Sequence, residues 1–148
     1  MVGFAITIAT VIKSRKSADA ATEAANRVRS DLRKFKTVAD FASALAVMEE
    51  IKRLHRANAV ELLPDRYASL RKSLIGIRTS NPLLAEADQI VIQAAISQFA
   101  ALERQIDREL SARTTGLNFP KMNSAVSLQI DSLQDLLVRI RATIGDAK

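Results

Sequence analysis

The stretch VSLQIDSLQDLLVRIRATI, residues 126–144, reads as one face of a helix. Val126, Ile130, Leu133, Leu137, Ile140 and Ile144 follow one another at steps of four and three, the spacing that lines apolar side chains along one side of an α-helix. Leu128, Leu136 and Val138 fall outside that stripe and predict apolar contact on a second side, within a deep core or across a dimer. Gly145 is the expected cap of this helix.

The same period extends towards the N-terminus. Residues 114–120, TTGLNFP, form a break. Before it, Ile92, Ile96, Phe99, Leu102, Ile106 and Leu110 share one face of a helix expected to run to about Arg113, opened by Asn81 as N-cap and Pro82 at its first position. Pro64 fits the first turn of an earlier helix with Tyr67, Leu70, Leu74 and Ile77 inside and Arg66, Lys72 and Arg78 towards solvent. Residues 58–63 carry no clear signal. Thr37 with Asp40 resembles a variant capping box and predicts a helix from there to about Ala57. Phe41, Ala44, Leu45, Met48, Ile51 and His55 lie on its inner face, with Glu49 and Arg53 paired outside. A first helix from Val2 to Lys36 carries Ala18, Ala21, Ala25, Val28, Leu32 and Phe35 on one side, and its Ala-rich middle lets another helix come close. The fold class is therefore all-α: an antiparallel helical bundle of four to five helices with a long N-terminal helix. Residues 1–16 form an apolar segment with a basic flank, and 17–148 the bundle.

Composition agrees. The chain has 148 residues, 48% apolar, with four Gly and three Pro, so helix formers dominate and turn residues are scarce. There is no Trp and one Tyr, which leaves a core built of aliphatic side chains. Absence of Cys excludes disulfides, thiolate metal sites and Cys nucleophiles, and suits a reducing cytoplasm. The net charge of +6 is uneven. Residues 1–78 hold 15 Lys and Arg against 8 Asp and Glu, whereas 79–148 hold 7 against 8. A basic N-terminal half suits an anionic membrane surface or nucleic acid.

Val2 to Ile12 contain no charge, and Lys13, Arg15 and Lys16 follow at once. Basic residues after an apolar run mark the cytoplasmic end of an inserted helix. Val2, Phe4, Ile6, Ile8, Val11, Ile12, Lys13, Arg15 and Lys16 are accordingly the candidate membrane-proximal residues. Eleven residues make about 16 Å of helix, against a hydrocarbon core of about 30 Å. Three readings follow: the distal half of a longer span, an interfacial anchor, or a helix end buried in the bundle or a partner. A signal peptide fits poorly, because its charges precede the apolar run.

Catalytic motifs are missing. His55 is the only histidine and lies on an apolar face, as a hydrogen-bonded packing residue would. Glu49 and Glu50 diverge on a helix, and Glu86 with Asp88, Glu103 with Asp107, and Asp131 with Asp135 read as solvated faces. No P-loop, dinucleotide fingerprint, zinc-protease or nucleophile-elbow motif occurs. No enzyme activity, cofactor or metal is expected. Arg27, Arg29, Arg33, Lys34 and Lys36 form a candidate anion-binding cluster, without aromatic stacking platforms.

Residues 40–56, DFASALAVMEEIKRLHR, and 63–78, LPDRYASLRKSLIGIR, resemble a loose group of uncharacterised bacterial proteins. The resemblance implies a short N-terminal membrane helix, a basic Ala-rich helix and a cytoplasmic helical region, with no activity attached. The expected role is contact with a protein partner or a second copy of the chain, at the inner face of a membrane. The alternative is a soluble basic bundle that binds nucleic acid.

Overall fold

A computed structural model describes residues 2–81, 84–114 and 116–146, with side chains from Thr7 onward. Four α-helices and one 3-10 turn follow in order: α1 (Val2–Arg56), the turn Val60–Leu62, α2 (Leu63–Ser80), α3 (Glu86–Ala112) and α4 (Phe119–Gly145). The all-α bundle with a long first helix is as the spacing predicts. The chain divides into two compact units, residues 1–35 and 36–148.

Within residues 36–148 the second half of α1 joins α2, α3 and α4 through short connections, which turn consecutive helices back on one another. Phe41, Met48 and Ile51 of α1, Tyr67, Leu70 and Leu74 of α2, Ile92 and Phe99 of α3, and Val126 and Leu133 of α4 are fully buried together. A fully buried Leu, Ile or Phe stabilises by roughly 1.5–3 kcal/mol relative to exposure. Leu136 joins this core, while Leu128 and Val138 are exposed, so of the three residues outside the α4 stripe one enters the core.

The predicted break at Thr37 is absent: one helix passes through it. No Gly or Pro stands between Gly3 and Pro64 to stop it. Thr37 is buried and its hydroxyl accepts from the Asn81 amide, while Asp40 takes the Lys36 ammonium at 2.5 Å. The two residues that suggested a cap are thus engaged elsewhere. α1 runs on to Arg56, and just beyond it Asn58, with a left-handed φ of 54°, lets Ala59 N–H reach the Leu54 carbonyl at 3.0 Å.

α3 starts at Glu86 with Ala85 as its N-cap, not at Pro82. A residue before proline is pushed out of the helical region, and Asn81 is extended (φ −119°, ψ 93°), ending α2. Glu86 and Asp88 instead place negative charge in the first turn of α3. α4 opens as such helices should: Asn118 Oδ1 accepts from Lys121 N–H at 3.0 Å and Pro120 follows in the first turn. Gly145 is the last residue of α4 with ordinary helical φ, and Asp146 takes the cap position.

Ion pairs tie helices at the rim. Arg71 Nε and Glu103 Oε2 lie 2.6 Å apart between α2 and α3, and Arg139 reaches Asp88 at 3.3 Å between α4 and α3. Glu103, read as solvated, is 13% exposed in its side chain. Glu50 meets Arg66 at 3.2 Å, and Glu49 pairs with Lys52 at 3.7 Å in place of Arg53.

Candidate functional site

Two places hold side chains that core packing does not explain. The first is the N-terminal unit. From Thr7 to Phe35 every residue except Ser30 and Lys34 is exposed. Ile8, Val11 and Ile12 are 57%, 51% and 51% exposed, and Val28, Leu32 and Phe35 are exposed as well. Within their own unit these side chains have nothing packed over them. The cause is compositional: small Ala and Ser at positions 17–25 supply little apolar volume to bury. The side chains of Val2, Phe4 and Ile6 lie outside the described residues. Among the described residues no helix is long and apolar enough to cross a membrane.

At about 100° per residue, Ile8, Val11 and Ile12 share an arc about 100° wide, with Arg15 in the same sector, Lys16 beside it and Lys13 towards the opposite side. The basic cluster splits. Arg29, Arg33 and Lys36 fall within about 60° of one another, whereas Arg27 and Lys34 point roughly the opposite way. Arg27 approaches Glu23 at 4.0 Å, and Lys36 holds Asp40. The five residues do not make one anion-binding surface.

The second place is a buried polar contact inside the bundle, joining α1, α2 and α4. His55 Nδ1 donates to Asn123 Oδ1 at 2.7 Å, and His55 Nε2 accepts from the Tyr67 hydroxyl at 3.1 Å. Phe119 stacks on the imidazole with centroids 5.2 Å apart. Burial pushes the imidazole pKa below its ordinary 6.5, and the Asn123 hydrogen bond opposes that in part. Burial pushes the Tyr67 hydroxyl up, so it stays a donor. Each nitrogen has its one partner, as a neutral ring requires.

Beyond Phe119 an open cleft of about 460 Å³ is bounded by Glu61, Glu109, Arg113 and Leu117. Its carboxylate at Glu109 is already occupied: it accepts from the Thr114 hydroxyl and from Gly116 N–H at 3.0 Å, which hold its pKa below the ordinary range. Among the described residues no group of His, Asp and Glu could hold a metal ion.

Sequence reasoning placed His55 inside and missed its partners. A signal existed for Asn123, which stands three residues before Val126, so a polar side chain continues an apolar stripe inward. Nothing local marked Asn81 as the partner of Thr37, 44 residues away. No family model, no curated protein and no solved structure matches the chain.

Proposed function

We propose that this chain is a non-enzymatic interaction protein, tethered peripherally to the cytoplasmic face of a bacterial membrane and working through helix-mediated protein contacts. The observation that carries the reading is the exposure of Ile8, Val11 and Ile12 directly before Lys13, Arg15 and Lys16. An apolar arc beside basic side chains suits the boundary between acyl chains and anionic headgroups. Each Lys or Arg near such a surface contributes about 1 kcal/mol. The resemblance to bacterial chains with an N-terminal membrane segment supports the same side of the membrane. A protein partner then meets the aliphatic stripe further along α1.

Flotation with vesicles tests the tether. The full chain is expected to float with phosphatidylglycerol-rich vesicles and to stay behind with pure phosphatidylcholine. Replacing Lys13, Arg15 and Lys16 together by Ser is expected to abolish flotation. Equal flotation of the variant, or none by the parent, overturns the tether. The alternative, nucleic-acid binding through Arg27, Arg29, Arg33, Lys34 and Lys36, is weaker because the cluster is divided between two faces. Retention of duplex DNA at low salt, lost steeply as salt rises, would favour it.

A further inference from the structure

The aliphatic stripe of the N-terminal unit has a stricter pattern than a membrane contact needs. Val11, Ser14, Ala18, Ala21, Ala25, Val28, Leu32 and Phe35 alternate steps of three and four without interruption, and all eight are exposed. Steps that average 3.5 residues make a seam for a second helix in a left-handed coiled coil. The seam covers about 36 Å of α1 at the usual rise. Val11, Ala18, Ala25 and Leu32 take the first core position of each heptad, and Ser14, Ala21, Val28 and Phe35 the fourth.

The flanking charges then decide the occupant and its direction. Beside the seam, Arg15, Thr22, Arg29 and Lys36 follow the fourth position, and Thr10, Ser17, Ala24 and Asp31 precede the first. In a parallel pair each preceding residue meets the partner residue five further on. Thr10 then faces Arg15, Ser17 faces Thr22, Ala24 faces Arg29, and Asp31 faces Lys36. No like charges meet, and the one charged pair is attractive. In an antiparallel pair, aligned so that the seams overlap, Arg15 comes against Arg29 twice. Lys36 already holds Asp40 of its own chain at 2.5 Å, and Asp31 of the copy adds a second carboxylate on its other side.

We propose that two copies of this chain pair in parallel and in register through the Val11–Phe35 face of α1. The pairing rests on the reading of the N-terminal unit as a contact device, and it names the partner as a second copy. It explains why Leu32 and Phe35 are large and exposed while Ala18, Ala21 and Ala25 are small: the middle of the seam lets the backbones approach, and the end near the bundle supplies apolar area. Pairing takes Val11 into the seam and brings Ile8 and Ile12 of both copies to the same end, where all four remain open to a membrane.

Sedimentation equilibrium of the full chain tests it. The expected mass is twice 16.2 kDa, with dissociation on dilution. Leu32→Glu with Phe35→Glu is expected to weaken the dimer more than about 100-fold, while Leu128→Glu, on an exposed site of α4, leaves it unchanged. Asp31→Lys is expected to weaken it a few-fold, and adding Lys36→Glu to restore it. Because the chain lacks Cys, direction is read directly. Ala21→Cys alone is expected to cross-link to a disulfide dimer under mild oxidation. Cross-linking only in a mixture of Ala21→Cys and Ala25→Cys chains shows an antiparallel pair and overturns the proposal. A monomer at every concentration, or a dimer indifferent to Leu32→Glu with Phe35→Glu, overturns it too. A monomer that still floats with anionic vesicles removes the pairing and leaves the tether standing; a dimer that ignores vesicles does the reverse.

Discussion

His55 shows how one residue can join three helices without offering chemistry to solvent. It is 1% exposed, and both ring nitrogens are spent on Tyr67 and Asn123. Tyr67→Phe leaves Nε2 a buried acceptor without a donor, and such a loss costs about 1–3 kcal/mol; the check is the denaturant midpoint. The depressed imidazole pKa fixes a pH dependence with a definite sign. The unfolded chain takes up a proton near pH 6.5 and the folded chain only at lower pH. Between the two values the unfolded state binds more protons, so stability is full above 6.5 and falls as pH drops towards the folded value. A denaturant midpoint that declines between about pH 7 and about pH 5, with the slope lost in His55→Gln, is the expected result. Glu109 shifts in the same direction but from the carboxylate range, so its contribution disappears only at lower pH.

At the scale of elements, α2, α3 and α4 were legible because each buries a stripe whose spacing alone identifies it. Tyr67, Leu70, Leu74 and Ile77 are all inside, as are Ile92, Phe99 and Ile106. What local reasoning misjudged were boundaries. Thr37 and Asp40 imitate a cap, yet the helix continues because Asn81, remote in sequence, claims the Thr37 hydroxyl. Pro82 looked like a helix start, but its effect on Asn81 ends the preceding helix. The end of α3 is an unfavourable choice of residue that sequence periodicity does not reveal. Arg113 adopts φ 51° while Thr114 N–H bonds the Glu109 carbonyl at 3.1 Å, a position that glycine fills without steric cost. Arg113→Gly is therefore expected to stabilise the bundle by about 0.5–1 kcal/mol, seen as a higher thermal midpoint.

Across the whole molecule, the core begins at Phe41 and ends at Leu137, and none of its described residues lies in 7–35. Deleting 1–35 is expected to leave the denaturant midpoint of the bundle unchanged, within about 0.5 kcal/mol, while removing vesicle flotation and self-association together. Between Lys13 and Lys36, eight basic residues face three acidic ones. Vesicle binding should therefore fall steeply with salt, whereas a dimer held mainly by Leu32 and Phe35 should survive it. This contrast is read by flotation and sedimentation at matched ionic strength. The lone tyrosine adds a practical consequence. The chain has no Trp, and its only phenol sits at the heart of the bundle, so the tyrosine band of the near-ultraviolet spectrum watches residues 36–148 alone. Far-ultraviolet dichroism watches every helix. Any temperature interval in which the two traces part company is a direct record of the first 35 residues, obtained without attaching a label.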